Sequence, residues 1–349
     1  MDPYKALLDQ LQEERALDQT AMAACRVHWD NIAKPLGSLG LLEDMVAKLA
    51  GIQGGADVRI DKRALLVMCA DNGVLAQGVA QTPGEITAVM AGFIADGRSS
   101  VCIMADRAGT HVHTVDMGMF QALPHTGILD RRIAAGTKDM SQGPAMSRQE
   151  AQRAILAGLG LVADMKAQGY QILLTGEMGI GNTTTSSALA SQLLGLEVEA
   201  VTGRGAGLSD EGLDRKIQAI QKAIAVNQPD PNDPLDLLRK LGGFDIAGLC
   251  GVFLGAALHG LPVLIDGFIS AVSALLALRI CPWAKNVMLA SHLSAEPASR
   301  AVLEALGLSP LIQAGMRLGE GTGAVAALPL LDMALDVYRD LMTYEAIGM

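Results

Sequence analysis

The chain has 349 residues, of which 50% are hydrophobic and only 3% aromatic, with 39 glycines and a formal net charge of −10. That apolar content excludes disorder, and glycines without a three-residue period exclude a collagen-like fibre. No Lys/Arg-rich run is longer than Arg131-Arg132, so nucleic acid and anionic membrane surfaces are excluded as partners.

Residues 1–58 predict helices. Leu7, Leu8, Leu11 and Ala16 stand near helical spacing, and Leu41, Leu42, Met45, Val46 and Leu49 repeat the pattern. Lys34 to Gly40 is turn chemistry between them. The amino-terminal segment is charged throughout and does not read as a secretory signal. Five scattered cysteines (Cys25, Cys69, Cys102, Cys250, Cys281) with no CxxC read as small buried hydrophobes in a reducing, cytoplasmic setting.

From residue 63 the texture changes. Short apolar runs at Arg63–Ala70, Val112–Val115, Gln171–Leu174, Pro262–Ile265 and Asn286–Leu289 have strand length. Helical stretches lie between them at Ser147–Lys166, Ser186–Leu194, Leu208–Val226 and Ala247–Leu258. This rhythm predicts an α/β fold, a parallel sheet flanked by helices on both faces. Ile246 to Ile265 is the longest apolar stretch. Its His259, Pro262 and flanking Asp245 and Asp266 favour a buried helix followed by a buried strand over a membrane span. Residues 230–234 read as a loop, and the chain is helical again beyond Gly323. The layout predicts an α/β core over 59–325 and a small helical lobe built from 1–58 with 326–349.

In parallel sheets ligands sit beyond the carboxyl ends of strands. Three glycine-rich segments are therefore the places for chemistry. Thr175 to Thr185 (TGEMGIGNTTT) lacks the Walker lysine and the GxGxxG fingerprint. It reads either as a loop for one phosphate or carboxylate, or as an ordinary strand-to-helix turn capped by Asn182 and its threonines. Val201 to Asp210 precedes a helix that carries Lys216 about two turns in, either a phosphate ligand or a solvated lysine. Arg317 to Gly323 sets Glu320 between glycines. That glutamate is either a solvated loop residue or an enclosed general base. His111 and His113 lie on one face of a predicted strand, and without a third ligand they make a poor metal site. Ser291-His292 has no GxSxG elbow and is not a hydrolase pair. Asp71-Asn72 and Asp266-Gly267 are well placed but carry little signal alone.

KPLGSLG (34–40), ADNGV (70–74), GEMGIGNTTT (176–185), GGFDIAG (242–248), LIDGF (264–268), SHLSAE (291–296) and RLGEGTGA (317–324), in that order, resemble the motifs of the nicotinate-nucleotide–dimethylbenzimidazole phosphoribosyltransferase family. The resemblance spans nearly the whole chain. It implies a Rossmann-like sheet with a small helical lobe, no metal or other cofactor, and a dimer, either of two copies or of this chain with a paralogue. It implies transfer of the 5-phosphoribosyl group of nicotinate mononucleotide to an aromatic lower-ligand base, 5,6-dimethylbenzimidazole by default. The product is an α-riboside 5′-phosphate used for the nucleotide loop of cobalamin-type corrinoids.

Carried over by motif, Glu320 matches the family's catalytic base and Glu177 a second carboxylate near the ribose. Gly179, Gly181, Asn182, Thr183, Gly205 and Lys216 would hold phosphate and ribose, with Ser291 and Ser294 as additions. Thr82, Pro83, Met90 and Leu318 would meet the acceptor. Many relatives carry Ser at the position of Thr82 and Gln at that of Met90, and Met removes an amide hydrogen-bond partner. Phenol, p-cresol or purine acceptors are thereby alternatives, as is a non-catalytic scaffold subunit, against which Glu320, Glu177 and Lys216 argue. A third reading is a nucleotide-binding dehydrogenase, against which the missing GxGxxG argues.

Overall fold

The computed structural model describes residues 2–348. Strands β1 (Arg63–Ala70), β2 (Thr110–Gly118), β3 (Ile128–Asp130), β4 (Ile172–Met178), β5 (Val263–Ile265) and β6 (Met288–Ala290) form one sheet in the order β3-β2-β1-β4-β5-β6. Every pairing is parallel. This is the doubly wound, Rossmann-like order, with its switch point between β1 and β4. The expected α/β fold is thus present.

All residues of β1 are buried, which explains their unbroken apolar sequence. Ala64, Leu66 and Met68 join the core on one face, and Leu65, Val67 and Cys69 join the core on the other. Helices Arg148–Ala167, Phe244–His259 and Phe268–Ile280 cover the first face. Helices Leu41–Gln53, Ile86–Ala95, Ser100–Arg107 and Thr322–Asp340 cover the second. Two helices on the first face meet backbone to backbone. A Cβ at Gly158 would lie 1.9 Å from the Gly248 carbonyl oxygen, and one at Gly251 would lie 2.0 Å from that of Ile155.

Ile246 to Ile265 is a buried helix and a buried strand, as its composition predicts. The apolar run Ile86–Arg107 is broken by a turn at Gly97, and Ser99 caps the second helix by accepting from Cys102 N–H. Ser147 and Glu150 form a capping box at Arg148–Ala167, and Ser209 caps Asp210–Asn227. The 230–234 loop ends in a further helix, Pro234–Leu241, capped by Asp233. The chain ends meet: Ala33 N–H donates to the Met342 carbonyl (2.8 Å), and Tyr344 N–H donates to that of Asn31 (2.9 Å).

Two boundaries differ from expectation and matter for the site. Strand β4 continues through Met178, so Glu177 projects from a strand rather than from the following turn. The next helix begins at Asn182, so its threonines lie inside the helix and Gly181 occupies the cap position with no side-chain cap.

Candidate active site

The carboxyl ends of β4, β5 and β6, with the segment 79–82 that follows β1, converge on a cavity of about 170 Å³. Its wall includes Glu177, Gly179, Gly181, Asn182, Thr183, Gly205, Asp266, Ser294, Leu318 and Glu320, with Thr82 at one side. Sequence-predicted residues from all three glycine-rich segments are thus brought together.

Glu320 is buried, and one of its carboxylate oxygens, Oε2, has no hydrogen-bond partner. The solvated-loop alternative is therefore set aside. Its backbone lies at φ +62°, between Gly319 at +87° and Gly321 at +93°. A non-glycine residue in this left-handed region costs about 1 kcal/mol and persists only when its surroundings fix it. Here they do. The Glu320 carbonyl packs onto β4, where a Cβ on Gly176 would lie 2.6 Å from it. Asp266, after β5, accepts from the N–H groups of Gly321 (3.2 Å), Gly323 (2.8 Å) and Ala324 (3.1 Å). It thereby caps Thr322–Asp340 and fixes the segment that presents Glu320.

Glu177 is held from the other side. Asn182 Nδ2 donates to Glu177 Oε2 and, at 3.0 Å, to Asp245 Oδ2. Asn182 is thus a bridge between two carboxylates, not the helix cap its position suggests. Burial, then the neighbouring Asp245, pushes Glu177 up to about 8. Asp245 is pushed up to about 6, chiefly by burial. Glu320 is raised by burial and then by Asp266.

Lys216 is fully buried, which sets aside the solvated-lysine reading. Its ammonium donates to Thr183 Oγ1 and to the Gly203 carbonyl, both at 2.9 Å. It stands just behind the cavity wall: a Cβ on Gly205 would lie 3.7 Å from Nζ. Burial lowers it to about 8. No carboxylate oxygen approaches within ion-pair distance among the described residues. One buried cation whose charge no protein carboxylate contacts, beside glycine backbone, is suited to an anion such as phosphate.

Other expected residues stand off the cavity. Ser291 is buried with its hydroxyl 3.2 Å from the Asp266 carbonyl and 3.0 Å from His292 Nδ1, behind the wall that Ser294 lines. Pro83 lies in the exposed turn before Ile86–Ala95, and Met90 stands one turn beyond Thr87. Neither Pro83 nor Met90 lines the cavity; Ile180, which does, donates its N–H to Thr87 Oγ1 (3.2 Å). Sequence reasoning gave no site role to Asp245, Asp266, His292, Glu296 or Arg317. Only Asp266, directly after a strand, carried a usable positional signal. His111 and His113 share the Tyr170 hydroxyl at 2.8 and 3.2 Å, near the amino-terminal end of β2 and far from this chemistry.

Comparison with known proteins gives a consistent result. A family model described as "Phosphoribosyltransferase" matches residues 15–348. Similar curated proteins include a nicotinate-nucleotide–dimethylbenzimidazole phosphoribosyltransferase of Acetivibrio thermocellus, 48% identical over 90% of this chain and 90% of that protein. Another of the same name, from Escherichia coli strain K12, is 42% identical over 96% of this chain and 94% of its own length. The crystal structure of CobT from Thermus thermophilus superposes with a TM-score of 0.90 at 40% identity, covering 95% of this chain and 99% of that one.

Proposed function

The chain belongs to the nicotinate-nucleotide–dimethylbenzimidazole phosphoribosyltransferase family, and from that premise we propose that it moves the 5-phosphoribosyl group of nicotinate mononucleotide onto 5,6-dimethylbenzimidazole. The bond between the ribose anomeric carbon and the pyridinium nitrogen breaks, and nicotinate departs with the electron pair. The acceptor nitrogen attacks the opposite face, so the configuration inverts from β to α. The other imidazole nitrogen loses its proton to Glu320. The products are nicotinate and the α-riboside 5′-phosphate.

The observation that carries this reading is Glu320 Oε2, buried at the cavity wall with no partner of its own. A raised carboxylate is a better match to an azole proton than an ordinary one. Because the leaving ring starts as a cation, departure needs little acid assistance, and positioning supplies much of the rate. The bridged group of Glu177, Asn182 and Asp245 stands between the base side and the phosphate side. Lys216, Thr183 and the glycine backbone at Gly179, Gly181 and Gly205 form the phosphate side. Leu318 and Thr82 face the acceptor.

Two copies in a cytoplasmic dimer belong to the same reading. It is supported by exposed apolar side chains such as Leu36 and Val27 and by five cysteines that are all free and buried. The division into a core over 59–325 and a lobe from both ends is supported by the pairing of residues 31–33 with 342–344. The test is turnover of nicotinate mononucleotide with dimethylbenzimidazole, adenine, phenol and p-cresol, by wild type and Glu320→Gln. Dimethylbenzimidazole is expected to be the preferred acceptor. Glu320→Gln is expected to lower kcat by about 10²- to 10⁴-fold with nicotinate mononucleotide still bound. Unchanged turnover would remove Glu320 from the role of base.

A further inference from the structure

The cavity wall holds more carboxylates than the reaction above employs. Asp266 spends its oxygens on three backbone N–H groups. Glu177 Oε2 is taken by Asn182, so that carboxylate already has a partner. Glu320 faces the acceptor. That leaves Glu296, which lines the cavity and whose Oε2 is buried with no partner.

Its seat is built. A Cβ on Gly203 would lie 2.1 Å from Glu296 Oε2 and 2.7 Å from Pro297 Cδ, so only glycine leaves room for the carboxylate. The Gly203 carbonyl is the group to which Lys216 donates at 2.9 Å. Glu296 N–H is 3.4 Å from Ser294 Oγ, which ties the base of the side chain to another wall residue. The carboxylate and the buried ammonium therefore flank one peptide, and Glu296 is the carboxylate whose field supports the charge of Lys216.

A bare carboxylate beside the phosphate cradle repels phosphate, and leaving a buried acceptor unpaired costs free energy. Both facts make sense if the ligand brings hydrogen-bond donors next to its phosphate. Ribose hydroxyls are such donors, and they lie between the phosphate and the anomeric carbon. We propose that Glu296 accepts hydrogen bonds from the ribosyl hydroxyls of the bound mononucleotide and thereby selects ribose over deoxyribose, an inference that rests on the phosphoribosyl transfer assigned above.

The test uses the full chain in wild-type, Glu296→Gln and Glu296→Ala forms, each checked for folding by its melting curve. Calorimetry measures binding of ribose 5-phosphate, 2-deoxyribose 5-phosphate, 3-deoxyribose 5-phosphate and inorganic phosphate, and turnover of nicotinate mononucleotide is followed in parallel. Wild type is expected to favour ribose 5-phosphate over at least one deoxy form by about 10- to 100-fold, the range of a hydrogen bond to a charged group. Glu296→Ala is expected to lose that preference while still binding inorganic phosphate, a pattern that collapse of the loop would not give. Gly203→Ala, which displaces the carboxylate without removing it, is expected to lose the preference too. A deoxy discrimination retained in folded Glu296→Ala, or absent from wild type, overturns the proposal. Ribose selectivity that depends on Glu296 in a chain that does not turn over nicotinate mononucleotide would overturn the transfer reaction instead and leave the ribose site standing.

Discussion

Glu177 Oε1 rests against the backbone of Gly319, so closely that a methyl group there would stand 2.5 Å from the carboxylate. Gly319 directly precedes Glu320, so the two cavity carboxylates are positioned by a single glycine at φ +87°. Gly319→Ala is expected to displace both. A misplacement near 1 Å lowers kcat by about 10²-fold. Steady-state kinetics should show that loss with inorganic phosphate affinity little changed, because Lys216 and Gly205 belong to the proposed phosphate side.

Glu177 also leaves a mark on stability. Its pKa rises from 4.5 to about 8 on folding, so between these values the folded state binds more protons than the unfolded state. The contribution of Glu177 to stability is thus fully present below about pH 4.5 and is lost as pH rises through 8. Glu177→Gln, neutral at all pH, should flatten the decline. Urea denaturation of both proteins at pH 5, 6.5 and 8 checks this. Parallel slopes would show that Glu177 is not the titrating group.

Lys216 has the opposite sign. Its pKa falls from 10.5 to about 8 on folding, so carrying the charge weakens the empty protein below pH 8, and stability recovers between 8 and 10.5. Lys216→Met keeps the length of the side chain and removes the buried charge. The variant is expected to melt no lower than wild type, as replacing buried charge by apolar volume often allows. Its KM for nicotinate mononucleotide is expected to rise at least about tenfold for the lost phosphate contact. In wild type, phosphate affinity should weaken as pH passes 8. Melting curves and KM at pH 7 and 9 measure both effects.

Asp266 bears on fold and chemistry together. Asp266→Asn leaves one acceptor oxygen for three N–H donors and should destabilise by about 1–3 kcal/mol. Because those donors anchor the turn carrying Glu320, kcat should fall by more than KM changes. Denaturant titration with steady-state kinetics separates the two.

The sequence makes some of this legible and hides the rest for physical reasons. β1 is readable because burial on both faces demands an unbroken apolar run. β3 is not, since Ile128–Asp130 has only three residues and its last is exposed aspartate. Glycine-rich segments after strands point to the cavity, and Glu320 and Lys216 are buried where local sequence allows a solvated role. Asn182 reads as a cap because the choice between capping and bridging depends on Glu177 and Asp245, which the chain brings there from 5 and 63 residues away. Asp266 is visible only as a residue after a strand, since its partners are 55 to 58 residues further on.

The scarcity of aromatic residues has a practical consequence for spectroscopy. The two tryptophans sit with the chain ends. Trp29 packs 5.0 Å from Tyr338, centroid to centroid, and Trp283 Nε1 donates to the Leu11 carbonyl at 3.0 Å. Neither lines the cavity. Intrinsic indole emission is therefore a reporter of how the terminal helices dock and peel away, and it is nearly blind to occupancy of the site. A ligand titration followed by that emission would read as no binding, while the same signal during unfolding would follow the two apolar cores that flank the sheet.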